Sequence, residues 1–354
     1  MIDFRYHLVS IVAVFLALGL GLLVGSTALE PWLAQQLKAQ SRNEEAQIHQ
    51  QHNQINGYQS LIGANEQAIV KDLLTGEHVV LVEAPGADST EITQIMSGIS
   101  MAGGSVTGQV TLQPSLLDTS RSGQSQLHQF IQGLAPHLDP VGQPLSPGSP
   151  TAQAGQVLAG ALLTKDGLGQ PAAGQPDSTS ASVVNGFVNS SPQYVSLSGN
   201  PPVYANLAVL VAPASPPTTP SANPSPSANP STVALVTLAR QFERAGQGTV
   251  VAGPTSASGP GSLIDSLRAG NANGSPSTVE NYDNVALAIT VVQVLCKELR
   301  GDHGGAYGLL PTTNNPVPSP APTPSPTPTN SPTQPVSSPS DNPSHPHPSK
   351  TGQG

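Results

Sequence analysis

A single cysteine, Cys296, in 354 residues excludes an intrachain disulfide. It sits in an apolar helical run, so a buried, inert thiol is expected rather than a reactive one. Charge is scarce as well. Asp, Glu, Lys and Arg make up 9% of the chain, which is low for a soluble domain. The net charge of −9 argues against a nucleic-acid partner, because binding a phosphate backbone needs a basic face. Catalytic signatures are missing too: there is no G-x-G-x-x-G, no P-loop, no G-x-S-x-G and no H-E-x-x-H. The first strand-to-helix turn, Glu83–Asp88, carries Pro85, which lacks an N–H, and Asp88, which repels a phosphate. The run Gly253–Gly261 follows a strand and can cradle an anion at a helix start, but a plain flexible loop is the default. With no catalytic constellation in view, the expectation is a protein that is not an enzyme and holds no cofactor.

What the chain does have is one long apolar run. Leu8 to Gly25 holds eighteen residues without a charge, and Ser10 is its one polar side chain. At 1.5 Å per residue it spans about 27 Å, near the hydrocarbon thickness of a bilayer. A helix satisfies its own backbone in lipid, so an uncleaved N-terminal anchor is the favoured reading. The alternative is a cleavable signal peptide, but that needs a more basic start and a shorter apolar region. Positive charge flanks both ends (Arg5 before; Lys38 and Arg42 after), so it does not decide topology. The Pro/Ser/Thr-rich tail and the scarcity of Lys favour an extracytoplasmic C-terminal domain. Ala13, Ala17, Gly21 and Gly25 recur every four residues and form a small-residue stripe, a surface on which two membrane helices can approach closely. Chance is the other reading, since Ala and Gly are common in such helices.

Residues 31–75 read as a polar stalk helix. Pro31 suits the first turn of a new helix or a kink. Ile48, Ile55, Ile62 and Ile69 recur every seven residues, the mark of a coiled coil. The second apolar position is weak, occupied by Gln51, Tyr58, Asn65 and Asp72. A lone helix packing on its own domain is the alternative to a parallel homo-oligomer through anchor and stalk.

Residues 76–310 alternate strands and helices. His78–Val82, Ser105–Leu112, Tyr194–Leu197, Asn206–Val211 and Thr249–Ala252 read as strands. Helices are expected after Asp88–Thr90 and over 124–134, 152–163, 181–188, 232–245, 263–267 and 285–299, the last capped by Asp283 and stopped by Gly301. Ser277–Glu280 is at most a short extended piece. The fold class is therefore α/β: an anchor (1–30), a stalk (31–75), and a domain with a mostly parallel sheet of about four to six strands. The Pro/Ser/Asn insert at 213–231 cannot bury enough apolar surface to fold and reads as an exposed loop. The tail 311–354 is expected to be disordered and partly polyproline II, reaching about 130 Å if fully extended.

The opening Met1-Ile2-Asp3-Phe4-Arg5-Tyr6-His7-Leu8-Val9-Ser10, running straight into an Ala/Leu/Gly helix, resembles the actinobacterial copper transport family typified by the mycobacterial protein MctB. The order of parts agrees through the Gly-rich close at Gly304–Gly308. The likeness covers roughly residues 1–308 in architecture and is specific in the first 25. It implies a role in keeping cellular copper low and a pore in the outer cell envelope. The tail after Leu310 and the insert depart from the pattern, and no ligand set is carried over.

The residues themselves offer little to copper. Cu(I) favours thiolates and thioethers, and beyond the initiator the chain has Cys296, Met96 and Met101. His49 and His52 share a helix face and can bind Cu(II) weakly, although a solvated face is the default. His345 and His347, near Asp341 in the tail, are the other pair. A membrane β-barrel needs many alternating segments of about ten residues, and residues 75–300 do not supply them. Two readings result: a copper-homeostasis protein of the envelope with copper as the transported species, or a non-catalytic envelope scaffold indifferent to copper.

Overall fold

Alternate residues of the central strands face two separate apolar cores. Val80, Val82, Ala208, Leu210 and Val251 point to one; Val79, Leu81, Leu207, Val209, Val250 and Ala252 point to the other. That is the period-2 geometry of a sheet buried on both faces, which explains why its strands read as near-continuous apolar runs. The computed structural model describes residues 4–134, 145–165, 171–199, 203–214, 229–270, 274–281 and 284–309, with isolated positions beyond. In chain order the elements are α1 (Phe4–Val70), β1 (His78–Glu83), α2 (Ser89–Met101), β2 (Ser105–Leu112), α3 (Arg121–Leu134), α4 (Pro150–Leu162), α5 (Ser178–Val188), β3 (Val195–Ser198), β4 (Leu207–Val211), α6 (Pro230–Ala245), β5 (Gly248–Pro254), α7 (Leu263–Ala269), β6 (Ser277–Asn281), α8 (Asn284–Glu298) and β7 (Ala306–Tyr307).

The seven strands lie in the order β3-β2-β1-β4-β5-β6-β7. All neighbours pair in parallel except β2 and β3, which are antiparallel. Helices α3 to α7 cover one face and α2, α8 and the end of α1 cover the other. This is a doubly wound sheet, with the order reversing between β1 and β4. The α/β class expected from the sequence is what the structure has.

Several details differ from the expectation. Seven strands replace four to six. The Ser277–Glu280 piece is a full member of the sheet, and β7 joins beyond it. Both escape a reading by apolar runs, because β6 carries one buried aliphatic residue and β7 is two residues long. Of the two readings of Pro31, a new helix or a kink, the new start is absent, since α1 is a single helix of 67 residues. It is about 100 Å long. It ends at Val70, ahead of the expected 75, where Asp72 adopts φ 60° and Gly76 φ 82°. Val70 and Leu74 are fully buried against α2 and α8, and the Leu74 N–H donates to Ala102 O at 2.9 Å. The far end of the stalk is thus built into the domain core.

At the other end of α1, Tyr6–Val24 is long and apolar enough to cross a membrane, with a mean hydropathy of 2.5 and none of it buried. The centre of the insert (215–228) and almost all of the tail lie outside the described residues, as does Asp283, the expected cap of α8.

Candidate metal centre

In open parallel sheets, ligands usually sit at the carboxyl ends of the strands, where the order reverses. Here that end is a poor receptor. Pro85 and Pro213 follow β1 and β4, and a Cβ built on Gly86 would stand 3.7 Å from Pro213. Asp88 caps α2 by accepting from the Thr90 N–H at 2.6 Å, and its carboxylate occupies the place an anion would need. The two oxygens of Glu83 are taken by Gln109 and Thr111.

The opposite rim of the sheet is different. Helix α6 ends there before turning into β5, and α8 ends there after packing on the other face. Glu243 stands in the last turn of α6 and Glu298 is the last residue of α8. Gly301, at φ 81°, then reverses the chain and brings His303 back over the helix end. His303 Nδ1 lies 3.0 Å from Glu243 Oε1 and also hydrogen-bonds Glu298 Oε2. Among the described residues this is the one group of three His, Cys, Asp or Glu side chains whose ligand atoms converge, each within 4.8 Å of the others.

The surroundings hold the group in place. Glu243 Oε2 accepts from the Thr249 N–H at 2.7 Å, at the start of β5. Ser277, which begins β6, stands beside Glu298, and its Oγ accepts from the Gly305 N–H at 2.9 Å. Gly248 leaves the space Glu298 occupies; any Cβ there would overlap the glutamate side chain. Both carboxylates are buried, and the Glu298 side chain has no exposed surface. Burial pushes Glu298 up to about 8, against the pull of Ser277 beside it. Burial likewise raises Glu243, with the Glu298 charge adding and His303, the Thr249 N–H and Lys165 opposing. One oxygen, Glu298 Oε1, is buried without a hydrogen-bond partner. A cleft of about 430 Å³ opens onto the cluster, with Lys165, Arg244 and Gln247 on its walls.

The positions singled out in the sequence lie elsewhere. His49 and His52 are exposed on α1, and no third ligand joins them among the described residues. His345 and His347 lie outside the described residues. Leu8, Ala13, Ala17 and Gly21 are exposed along the apolar span, and Gly25 continues the same helix. Ile48, Ile55, Ile62 and Ile69 also remain solvent-facing on the stalk. Cys296 is buried in the core between α8 and its neighbours, and burial pushes its thiol up. Met96 and Met101 pack against that same core. The cluster of Glu243, Glu298 and His303 had no sequence motif to announce it. Its single local trace is a glutamate and a histidine either side of a helix-stopping glycine.

Comparison with known proteins places the chain. It is 27% identical over 321 residues to the copper transporter MctB of Mycobacterium tuberculosis, covering 87% of this chain and 96% of that protein. The same figures hold for the copper transporter MctB of Mycobacterium bovis. The copper transporter MctB of Mycobacterium leprae is 28% identical over 326 residues, again covering 87% and 96%. A family model described as copper transport outer membrane protein, MctB, matches residues 1–318. That match runs from the apolar span to beyond the last strand, and the chain belongs to the MctB family.

Proposed function

We propose that this chain is a single-pass envelope protein that helps keep cellular copper low by aiding its efflux, with the α/β domain on the extracytoplasmic side. The observation that carries the reading is the continuity of α1. One helix holds an exposed apolar span at its start and is locked into the domain core at its end, in a chain whose relatives are named copper transporters. Anchor and domain act together, so the domain works at a membrane. The reading is non-catalytic and calls for no resident cofactor; copper is cargo.

The reading also takes the partner to be a second copy of this chain. Two regular stripes on α1 favour it: Ala13, Ala17, Gly21 and Gly25 within the span, and Ile48, Ile55, Ile62 and Ile69 on the stalk. The second functional reading is an envelope scaffold with no copper role. It is favoured by the placement of the soft ligands, since Cys296, Met96 and Met101 belong to an apolar core that supports packing.

Cell copper separates the two. A strain lacking the gene, grown with added copper, is expected to hold more copper than the parent, and the intact gene returns it to the parental level. Equal copper in all three strains contradicts the export reading and leaves the scaffold.

A further inference from the structure

We propose that Glu243, Glu298 and His303 form a binding site for a divalent transition-metal ion of the Cu(II) or Zn(II) class, at the rim of the sheet where β5 and β6 begin. The proposal does not depend on copper export: a chain that leaves cellular copper unchanged can still hold a cation here.

The electrostatics of the rim favour a cation. The C-terminal ends of α6 and α8 arrive together, and each brings the negative end of a helix dipole. Two buried glutamate side chains stand between them as oxygen donors. The cations nearest them are Lys165 and Arg244 on the cleft wall and Lys297 on α8, while the His303 ring touches both.

A second observation is the bare oxygen. The Glu298 side chain is fully buried, faces the cleft, and leaves Oε1 without a hydrogen-bond partner. Leaving a buried polar atom unpaired is costly. A bound cation supplies what it lacks.

Donor geometry comes third. Ligands bound at about 2.0–2.2 Å around a tetrahedral ion stand about 3.5 Å from one another. The three ligand atoms here already lie within 4.8 Å, so small side-chain rotations close the set. Support for the ligands is in place: the Thr249 N–H orients Glu243, an outer contact of the kind that fixes metal ligands, and the bare Gly248 makes room for Glu298. The cleft leaves one side open for water or a further ligand.

The donors set the class of ion. Two carboxylate oxygens and one imidazole nitrogen suit Cu(II), Zn(II) and similar divalent ions; they are poor partners for Cu(I), which selects thiolates and thioethers.

The test uses metal-free full-length protein in detergent. It is titrated calorimetrically with ZnCl2 and with CuCl2, and under argon with Cu(I). Variants are Glu298→Gln, which keeps the side chain's shape, His303→Ala, and His49→Ala/His52→Ala. The expected result is one equivalent of each divalent ion per chain, weakened at least about tenfold in Glu298→Gln and His303→Ala and unchanged in the stalk variant. Zn(II) is also expected to raise the melting temperature of the parent protein but not of Glu298→Gln. Absence of stoichiometric divalent binding by the folded parent overturns the proposal. Binding that survives both Glu298→Gln and His303→Ala overturns it as well, since the ion then sits elsewhere. Cu(I) binding tighter than Cu(II) at these residues overturns the assigned class.

Discussion

Glu91 illustrates how a single side chain links local position to stability. It lies in the first turn of α2, where a negative charge would ordinarily be favoured. Partial burial nevertheless pushes its carboxyl from 4.5 up to about 7, with the Asp88 charge adding, and Glu91 Oε2 is buried without a hydrogen-bond partner. The folded state therefore prefers the proton. Below about pH 4.5 both states carry it. Between there and about pH 7 the unfolded chain has lost the proton and the folded chain has not, so stability falls as pH rises and levels off above that window. Glu91→Gln is expected to raise the melting temperature at pH 8 and to leave it nearly unchanged at pH 4. A larger gain at pH 4 than at pH 8 would contradict this sign. Glu243 and Glu298 show the same tension in a tighter setting. In a polar, exposed helix end they would be ordinary carboxylates; the close approach at Gly248 and the return of the chain at Gly301 make them a cluster.

At the edge of the sheet, β6 and β7 share one largely buried cation. Arg268, at the end of α7, donates to Glu280 Oε2 at 3.0 Å, to Thr278 Oγ1 at 3.0 Å and to the Tyr307 carbonyl at 3.1 Å. It thereby ties a helix to both strands at that edge. Removing one partner of such a buried pair costs about 3–5 kcal/mol, because the other charge is left uncompensated. Arg268→Met is expected to destabilise the protein by about that much in denaturant unfolding, and Arg268→Met/Glu280→Met to recover a large part of the loss. Additive losses in the double variant would show that the two side chains do not act as a pair. This dependence also explains what could be read in advance. The strand β1 and the capped start of α2 rest on local signals: an apolar run and Asp88 as N-cap. Ser277-Thr278-Val279-Glu280 has no such signal. It is a strand because β5 pairs with it and Arg268 satisfies its polar side chains. The cluster of Glu243, Glu298 and His303 was illegible for the same reason. Glu243 and Glu298 belong to helices on opposite faces of the sheet, and their meeting is a product of packing rather than spacing. On α1, the heptad of isoleucines was legible as a pattern but not as an interaction. Ile55→Cys is expected to form a disulfide-linked dimer in membranes under mild oxidation, with Cys296 too buried to compete. Failure to crosslink at Ile55, and equally at Ile62→Cys, would contradict self-association through the stalk.

At the scale of the whole molecule, α1 is the organising part. About 70 Å of helix separates Val24 from Val70, and the far end is sealed into the core by Val70 and Leu74. An apolar span, a long polar helix and an α/β domain with a cation-favouring rim are thus one continuous object. Under the proposed function, this arrangement would present the folded domain at a set distance from a membrane. The account requires anchor and domain to work in the same chain. The most direct measurement is the copper content of a deletion strain grown with added copper, carrying either the full chain or a version lacking residues 4–24 but made to the same level. The full chain is predicted to restore parental copper and the unanchored version to leave it raised. Restoration by the unanchored version, or parental copper in the deletion strain itself, would contradict the account.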